Sequence, residues 1–340
     1  MDKLSRVSLI FFGTSDFAVP ALKKLAADSN CEIAAVITQP DKPAGRKQTL
    51  APSPVKLAAE QLGLKIFQPS KLDIGHWKLE IPEVDLYIVA SYGKIIPSEI
   101  LNMPRLGALN IHPSLLPKYR GPSPIQTAIL NGDKETAVTI MKLDEEMDHG
   151  PIIENRKWKI ESGIKYKKLH DQLADMGAEL LIKILPDYMA GKIKPVPQDH
   201  SKASFTKIIT KDYARIDWQK SAEEIERMIR AYESWPVAWT TLDGKRLKIH
   251  EARVHNPPPA RLASESVAGR QPSLTLREGV PPLKIRGGEG ELLTLGKILL
   301  VKCGHEALEI ITLQLEGAKK ISAREFGNGY KGLTRTIVCI

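Results

Sequence analysis

The first half of the chain alternates continuous apolar runs with amphipathic stretches. The apolar runs predict buried strands at 7–12, 32–37, 64–67, 84–90, 108–112 and 137–143. Helical spacing predicts a helix over 16–27, and Ser53-Pro54 predicts the start of another, because serine caps helices and proline suits the first helical position. The alternation predicts an α/β fold with a doubly wound sheet, in which ligands bind beyond the carboxyl ends of the strands.

The pattern changes after a long amphipathic helix predicted over 164–185. Residues 190–207 are polar and contain Pro195 and Pro197, which is typical of a linker. Further on, Ser221 and Glu224 form a capping box, and runs at 239–242 and 246–254 flank Asp243-Gly244 as a tight hairpin. Short strands continue to 315, with breaks at 256–259 and 287–288, so a small antiparallel barrel of OB type is expected.

These segments predict an α/β domain at 1–189, a linker at 190–207 and an OB-like domain at 208–340. The chain has 340 residues, of which 42% are hydrophobic and 26% charged, as is usual for globular proteins. No apolar run reaches the roughly 18 residues that span a bilayer, and no signal-peptide cleavage site follows the first strand. Three distant cysteines, Cys31, Cys303 and Cys339, indicate a reducing compartment. We therefore expect a cytoplasmic protein without membrane attachment.

Positive charge is concentrated towards the C-terminus. The net charge is +9, and residues 206–340 carry 22 Lys and Arg against 16 Asp and Glu, a net of +6. A nucleic acid is the first candidate for an anionic partner, although charge alone fits a merely soluble basic protein equally well. Lys42, Arg46 and Lys47 lie in a Pro- and Gly-containing segment, 39–51, near the predicted sheet edge. Such a segment suits contacts to RNA phosphates and bases, but its composition also fits an unliganded surface loop.

Several common enzyme classes are disfavoured by missing motifs. The first strand ends in Gly13-Thr14-Ser15-Asp16, which lacks the Gly-x-Gly-x-x-Gly fingerprint of dinucleotide-binding proteins. No Walker A sequence and no histidine pair with helical zinc-site spacing occur. Dehydrogenase, NTPase and metallohydrolase activities are therefore not indicated.

Three polar residues are the candidates for chemistry. Asn110 and His112 alternate on a predicted strand, so their side chains share one face at its carboxyl end. Asp148 follows the next predicted strand, and it is expected beside His112 at the same sheet edge. An amide and an imidazole that stabilise an oxyanion, with a carboxylate that handles protons, suit acyl transfer. Each of these residues also has a non-catalytic interpretation. Asn110 and His112 fit structural caps at a strand end, and Asp148 fits a solvated acidic turn. A Mg²⁺ or Ca²⁺ site is a further alternative, although the glycine and oxygen-ligand spacing of a calcium loop is missing.

The surrounding motifs carry a resemblance to a known family. Asn110-x-His112, then the run 114–121 (Ser-Leu-Leu-Pro-Lys-Tyr-Arg-Gly) and Met147-Asp148-x-Gly150, resemble the formyltransferases that use 10-formyltetrahydrofolate. Further segments are similar to those members of the family that act on methionyl-tRNA. These segments are 38–46, 52–56, Ala214–Trp218, Trp235-Pro236, and Gly317 with Lys319-Lys320. Together they cover almost the whole chain.

The resemblance implies transfer of the formyl group of 10-formyltetrahydrofolate to the α-amine of methionine on initiator methionyl-tRNA, for translation initiation. It implies a Rossmann-like catalytic domain, an OB-like domain that helps to hold tRNA, and neither a metal nor a nucleotide cofactor. The residues implied are, for catalysis, Asn110, His112 and Asp148; for folate, Ser114, Leu115, Leu116, Pro117, Tyr92 and Gly93; for tRNA, Arg46, Lys42 and Lys47. A monomer is expected.

The sequence departs from the family pattern at a few positions, namely Pro113, Pro122-Ser123 and His149. Two rival functions stay open. A formyltransferase for amino-sugar nucleotides would share the Asn110, His112 and Asp148 set, but the basic segment 39–51 and the basic C-terminal part argue against it. A non-catalytic RNA-binding protein with a decayed enzyme domain is disfavoured by the intact set.

Overall fold

The computed structural model describes residues 6–44, 49–75, 81–255, 292–295 and 298–329. The chain divides into two compact units between Ile209 and Thr210. No helix in the described part of the chain is long and apolar enough to cross a membrane.

The first unit contains a seven-stranded sheet in the order β5 (Ile66–Phe67), β2 (Cys31–Ile37), β1 (Val7–Gly13), β6 (Leu86–Ala90), β7 (Ala108–His112), β8 (Glu135–Lys142) and β9 (Ile152–Lys159). Strands β1, β2, β5, β6 and β7 are parallel, whereas β8 and β9 add an antiparallel edge. Two further strands, β3 (Lys42–Ala44) and β4 (Thr49–Ala51), form a separate two-stranded ribbon.

Among the described residues, the α-helices that accompany these strands are α1 (Val19–Ala27), α2 (Pro54–Gln61), α3 (Ser98–Leu101), α4 (Pro124–Leu130) and α5 (Tyr166–Met189). Helix α2 begins as predicted, since the Ser53 side chain accepts a hydrogen bond from the Lys56 backbone N–H. Helix α5 packs closely on the sheet at Gly177, where a Cβ atom would lie 2.6 Å from Ile111 Cγ2. Ile111 therefore faces α5, and its neighbours Asn110 and His112 face the other side of β7.

The predicted α/β architecture is confirmed, with one difference at β8. Strand β8 lies at the predicted place but runs antiparallel to β7, with Leu109 opposite Lys142 and His112 opposite Thr139. The loop after β8 therefore starts beside the beginning of β7 rather than beside its carboxyl end. Apolar periodicity reports burial and says little about strand direction, so this reversal was not visible in the sequence.

The segment predicted as a linker, 190–207, lies within the first unit and pairs with other parts of it. Val196 pairs with Ile152, and Phe205 forms a parallel bridge with Arg120. The Gln198 side chain is buried, whereas the neighbouring Phe205 side chain is exposed. Most side chains of this stretch are exposed, as in a linker, but Gln198 is buried and hydrogen-bonded, which a sequence pattern does not distinguish from solvation.

The second unit is a small antiparallel β-domain, as predicted. Its described elements are α6 (Ala222–Ala231), β10 (Trp239–Leu242), β11 (Lys245–Val254), β12 (Leu292–Leu295), β13 (Ile298–Lys302), β14 (Ala307–Leu315), β15 (Ile321–Ser322) and α7 (Ala323–Gly329). The strand order is β10-β11-β14-β13-β12, with β15 also paired to β14. The predicted breaks at 256–259 and 287–288 lie outside the described residues.

Local sequence signals in the second unit are confirmed. Ser221 and Glu224 form the reciprocal capping box at the start of α6. Asp243 and Gly244 have φ values of 49° and 73°, as a two-residue hairpin turn between β10 and β11 requires. The buried Trp218 and the apolar face of α6, including Ile225 and Ile229, pack on the sheet to form the core.

Candidate active site

Strand β7 places Asn110 and His112 on one buried face. Asn110 lies opposite Met141 of β8, and both Asn110 and His112 expose less than a tenth of their surface. His112 is held through its ring, but the Asn110 side-chain amide makes no hydrogen bond to any residue in the described part of the chain. An amide that is mostly buried and unpaired is an available donor for an oxyanion.

The orientation of His112 is set by a backbone carbonyl. Its Nε2 atom lies 2.9 Å from the carbonyl oxygen of Tyr119. Because a carbonyl only accepts hydrogen bonds, Nε2 carries the proton in the neutral ring and Nδ1 has the lone pair. Nδ1 lies 3.5 Å from Oδ1 of Asp148, so the predicted meeting of His112 and Asp148 is observed.

The loop that carries Asp148 folds back along β7. Oδ2 of Asp148 accepts a hydrogen bond of 2.7 Å from the Gly121 backbone N–H. Gly121 has a φ of +104°, which glycine adopts readily. A Cβ at Gly150 would lie only 2.0 Å from the Lys142 carbonyl oxygen. The glycines of the two motifs therefore allow the close turns that bring Asp148 to His112.

Gln198 and Arg120, which the sequence did not assign to the site, hold the backbone of this loop through hydrogen bonds. The Gln198 amide nitrogen donates to the carbonyl oxygens of Asp148 and Gly150, at 2.9 and 2.7 Å. Its amide oxygen accepts from Arg120 Nε and Nη2, at 3.2 and 2.8 Å. Arg120 stood within a recognised motif, but nothing in the sequence connected Gln198 with a loop about fifty residues earlier.

His149 contacts Asp144 and His200 rather than His112 or Asp148. Its Nδ1 atom lies 2.7 Å from Oδ2 of Asp144, and its ring stacks on His200 with centroids 4.0 Å apart. His200 Nδ1 in turn lies 2.8 Å from Arg120 Nη2. His149 is thus held by neighbours other than Asp148 and His112.

The residues predicted to bind folate lie in two turns, in which Ser114, Leu116 and Tyr92 are buried and Gly93 is exposed. Ser114 is buried, and its hydroxyl donates to the Lys118 carbonyl at 2.6 Å. The Leu116–Pro117 peptide is cis, and Leu116 is buried, whereas Leu115 is partly exposed. This turn follows His112 directly, since the Ser114 N–H donates to the His112 carbonyl.

The second turn contains Tyr92 and Gly93. The Tyr92 carbonyl accepts hydrogen bonds from Thr14 Oγ1 and Gln39 Nε2. The Tyr92 side chain is 2% exposed, and its hydroxyl has no hydrogen-bond partner among the described residues. Burial raises the pKa of this hydroxyl to about 12, so the hydroxyl is neutral and can donate a hydrogen bond to a ligand.

A cavity of about 550 Å³ adjoins the loop that carries Asp148. The residues predicted to bind folate are absent from its lining, but Leu101 and Leu143, which line it, pack in the same apolar cluster as Tyr92. The cavity is lined by Ser98, Leu101, Asn102, Lys142, Leu143, Asp144, Glu145, Glu146, His149 and Pro151. Its acidic and apolar walls suit a flat heterocycle with several N–H donors.

Of the residues predicted to bind tRNA, only Lys42 is among those described. It begins the ribbon of β3 and β4, which closes the base of segment 39–51, and its ammonium group donates to Gln39 Oε1. Gln39 also donates to Tyr92, so this ribbon is connected to the predicted folate turn. Arg46 and Lys47 lie outside the described residues.

The second unit has a basic face on strands β10 and β11. The Trp239 ring has the guanidinium of Arg246 at 4.3 Å and that of Arg215 at 5.9 Å. Lys248 pairs with Trp239 across the strands. Burial lowers the pKa of the neighbouring His250, and the ammonium groups of Lys320 and Lys248 lower it further. We call Arg215, Trp239, Arg246, Lys248 and Lys320 the basic face.

None of the four cations of the basic face forms an ion pair within the described chain. Cations next to an indole are a common arrangement for contacts with nucleic-acid backbone and bases.

The fold and the site together define a class of enzyme. A mainly parallel sheet with an Asn-x-His strand end, an opposed carboxylate and a following antiparallel β-domain is the arrangement of a formyl transferase. The chain belongs to the formyl transferase family: the family model of the formyl transferase domain matches residues 5–185, and that of the formyl transferase C-terminal domain matches 208–331.

Particular relatives narrow the class. A methionyl-tRNA formyltransferase of Methylococcus capsulatus is 41% identical over 324 residues, which covers 95% of this chain and 96% of that protein. A methionyl-tRNA formyltransferase of Caldanaerobacter subterraneus is 39% identical over 325 residues, with coverage of 95% and 96%. The chain is therefore similar to these enzymes over almost their full length.

Solved structures share the fold at lower sequence identity. WlaRD, a sugar 3N-formyl transferase solved with dTDP and 5-N-formyl-THF, has a TM-score of 0.61 at 19% identity, covering 92% of this chain and 99% of that one. HypX from Aquifex aeolicus, solved with tetrahydrofolic acid, has a TM-score of 0.59 at 17% identity, covering 94% and 46%. At such identities the likeness concerns the fold alone.

Proposed function

We propose that this enzyme transfers the formyl group of 10-formyltetrahydrofolate to the α-amine of methionine esterified to initiator tRNA. The observation that carries the proposal is the Asn110 amide, which has no hydrogen-bond partner among the described residues and shares a strand face with His112, whose ring lies near Asp148. The extended similarity to methionyl-tRNA formyltransferases supports the choice of acceptor. Charged tRNA is found in the cytoplasm, where proteins are synthesised, so we propose that the enzyme acts there. We also propose that it acts as a monomer.

The proposed reaction needs one oxyanion donor and one proton acceptor. The lone pair of the neutral amine attacks the formyl carbon, a C–N bond forms, and the carbonyl electrons move to oxygen. The Asn110 amide donates a hydrogen bond to this oxyanion. His112 Nδ1 and Asp148 face each other as acceptors, and they receive the amine proton. Collapse of the intermediate breaks the bond to N10 of the folate, which takes up a proton as it leaves.

We propose that the pteridine ring of the donor occupies the cavity beside the Asp148 loop. The cavity is lined by residues of the loop that carries Asp148. A pteridine ring bound there would bring the attached formyl group near the Asp148 carboxylate. Asp144, Glu145 and Glu146 supply acceptors for the ring N–H groups. The unpaired Tyr92 hydroxyl is a further polar group that a ligand can satisfy. The turn 114–117 and Gly93 remain our proposed contacts for the rest of the folate.

The acceptor is proposed to bind through two basic regions. Segment 39–51 would contact the acceptor end of the tRNA through Lys42, Arg46 and Lys47. The basic face of the second unit would contact the backbone elsewhere, through its unpaired cations and Trp239. Both contacts are expected to depend strongly on salt.

A competition between acceptors tests this proposal. Labelled 10-formyltetrahydrofolate is supplied to the enzyme with methionyl-initiator-tRNA and an amino-sugar nucleotide in the same reaction. Label is expected on the methionyl-tRNA, with a much higher kcat/KM than for the sugar. Label on the sugar alone would overturn the proposed acceptor, and no label on either would overturn the proposed reaction. Asn102→Trp, which fills the cavity, is expected to weaken binding of the donor and leave tRNA affinity unchanged.

A further inference from the structure

Gln198 contacts the catalytic loop in a way that fixes its own orientation. An arginine only donates hydrogen bonds, so the side-chain atom of Gln198 that faces Arg120 must be the amide oxygen. The amide nitrogen is then directed at the carbonyl oxygens of Asp148 and Gly150, which only accept. The four contacts are chemically consistent in this orientation and in no other.

This contact is shielded from water. Gln198 is 6% exposed and Arg120 is 3% exposed, so solvent competes little for their hydrogen bonds. The Gln198 amide group holds the carbonyls on either side of His149, and it thereby fixes the curve of the loop. Loss of this amide would leave the inward-facing loop carbonyls without their donor.

The loop conformation needs such support. Asp148 has a φ of 50°, in the left-handed region that residues other than glycine rarely adopt. The same conformation lets the Asp148 carboxylate accept from the Gly121 N–H and face His112. A small backbone change at Asp148 would therefore move the carboxylate away from the imidazole.

The contacts form a closed ring around Asp148. Its backbone carbonyl binds Gln198, Gln198 binds the Arg120 side chain, and the next residue, Gly121, binds the Asp148 carboxylate. The Arg120 backbone is itself paired on both sides, since its N–H donates to the Ser204 carbonyl and its carbonyl accepts from Thr206. The segment 198–206 thus connects the loop that carries Asp148 with the backbone at Arg120.

We propose that Gln198 is a positioning residue for the transfer reaction, an inference that rests on the proposed function. It acts through Asp148 by holding the backbone on either side of His149, and through this it sets the distance from the Asp148 carboxylate to His112. It touches neither substrate.

A double-mutant cycle with Asp148→Asn tests this inference in the full-length enzyme. Gln198→Met keeps the length of the side chain but removes its donor and acceptor. Gln198→Glu keeps the contact to Arg120 as an ion pair and replaces the donor to the loop with a carboxylate oxygen, so a rate loss shared by both variants does not depend on losing the Arg120 contact. Rate constants are measured in single turnover with labelled 10-formyltetrahydrofolate and methionyl-tRNA, and KM for both substrates is measured separately.

Both Gln198 variants are expected to lower the single-turnover rate about 10- to 100-fold, with each KM within about 3-fold of the wild-type value. In the Asp148→Asn background the same variants should change the rate by less than about 3-fold, because the group they position is already disabled. Tyr188→Phe is the matched control: it removes one side-chain hydrogen bond to a backbone carbonyl, from Tyr188 to Leu106, and should leave the rate unchanged.

Two outcomes would overturn the positioning role. One is a Gln198 variant with wild-type rate while Asp148→Asn is impaired. The other is an equal loss in both backgrounds, which indicates general destabilisation. A wild-type rate for Asp148→Asn itself would instead overturn the catalytic assignment on which the inference rests.

Discussion

The Nδ1 atom of His112 and the Oδ1 atom of Asp148 lie 3.5 Å apart, slightly beyond ordinary hydrogen-bond distance. Because Nε2 donates to the Tyr119 carbonyl, both facing atoms are acceptors while the imidazole is neutral. Two acceptors that face each other across a narrow gap favour a shared donor, either a proton on Nδ1 or an N–H group of the substrate amine. The pair is therefore suited to take a proton from an attacking amine.

Stability should depend on pH through a second histidine, outside the site. His170 is buried, with Nε2 3.3 Å from Asp16 Oδ1 and Nδ1 2.9 Å from Asp171 Oδ1. Burial acts to lower the pKa of His170, but the hydrogen bonds to Asp16 and Asp171 raise it overall. The hydrogen bond from His170 is the main cause that lowers the pKa of Asp16 to about 2.

The direction of the pH effect follows from the raised pKa of His170. Its charge stabilises the fold fully below the unfolded pKa of about 6.5, and this contribution is lost as pH rises through the folded pKa. Thermal unfolding across pH 5 to 9 should therefore give a flatter pH dependence for His170→Gln than for the wild type. His305→Gln is the control, since that side chain is 80% exposed. Parallel curves for wild type and His170→Gln would contradict the assignment.

The second unit should be dispensable for folding of the first. A chain that ends after Ile209 keeps segment 198–207 and the whole core of the first unit. We expect it to fold and to bind 10-formyltetrahydrofolate, but to lose most of its affinity for tRNA. Its remaining affinity should fall less steeply with salt, because fewer phosphate contacts release fewer counterions. Titration of both chains with tRNA at several salt concentrations measures both effects.

A shorter chain separates the two roles of the C-terminal part. Ending the chain after Ala190 also removes Gln198, Ser204 and Thr206, which hydrogen-bond to Asp148, Tyr119 and Ser123. This chain should lose thermal stability relative to the one that ends after Ile209. Equal thermal stability of the two shortened chains would contradict the account. So would an unchanged salt dependence of tRNA affinity in the chain that ends after Ile209.

Loss of a cation from segment 39–51 should weaken use of the tRNA acceptor and leave binding of the folate donor unchanged. Arg46→Ala is expected to lower kcat/KM for methionyl-initiator-tRNA about 10-fold or more while the affinity for folate stays constant. If Arg46 reads features near the acceptor end, discrimination between initiator and elongator tRNA should fall as well. The control is Arg156→Ala, an exposed arginine on β9 that pairs with Glu179. An unchanged kcat/KM for initiator tRNA would remove Arg46 from the binding surface.

Local patterns were enough to predict much of this molecule. Strand β7 has the predicted bounds, because an unbroken buried run flanked by glycine and proline leaves little choice. The capping box at Ser221 and the turn at Asp243-Gly244 are equally local, since each depends on neighbours within a few residues. Asn110 and His112 share a face for the same reason, which is the period of two in any strand.

Long-range relationships were not predictable in the same way. The antiparallel direction of β8 depends on how the chain returns after α4, and no short pattern encodes it. Asp148 was expected beside His112, but it arrives through a folded-back loop and not from an adjacent parallel strand end. Gln198 looked like part of a solvated linker, because a buried amide and an exposed one have the same sequence signature.

The single-turnover rate of formyl transfer in site variants tests the central claim most directly. Wild type, Asn110→Ala, His112→Ala and Asp148→Asn are each mixed in excess with methionyl-tRNA and labelled 10-formyltetrahydrofolate. Dissociation constants for donor and tRNA are measured on the same proteins. The account predicts that each variant loses about 10²-fold or more in rate, Asn110→Ala through a lost oxyanion donor and the other two through a lost proton acceptor, while both dissociation constants stay within about 3-fold. Rates near that of the wild type in all three variants would contradict it.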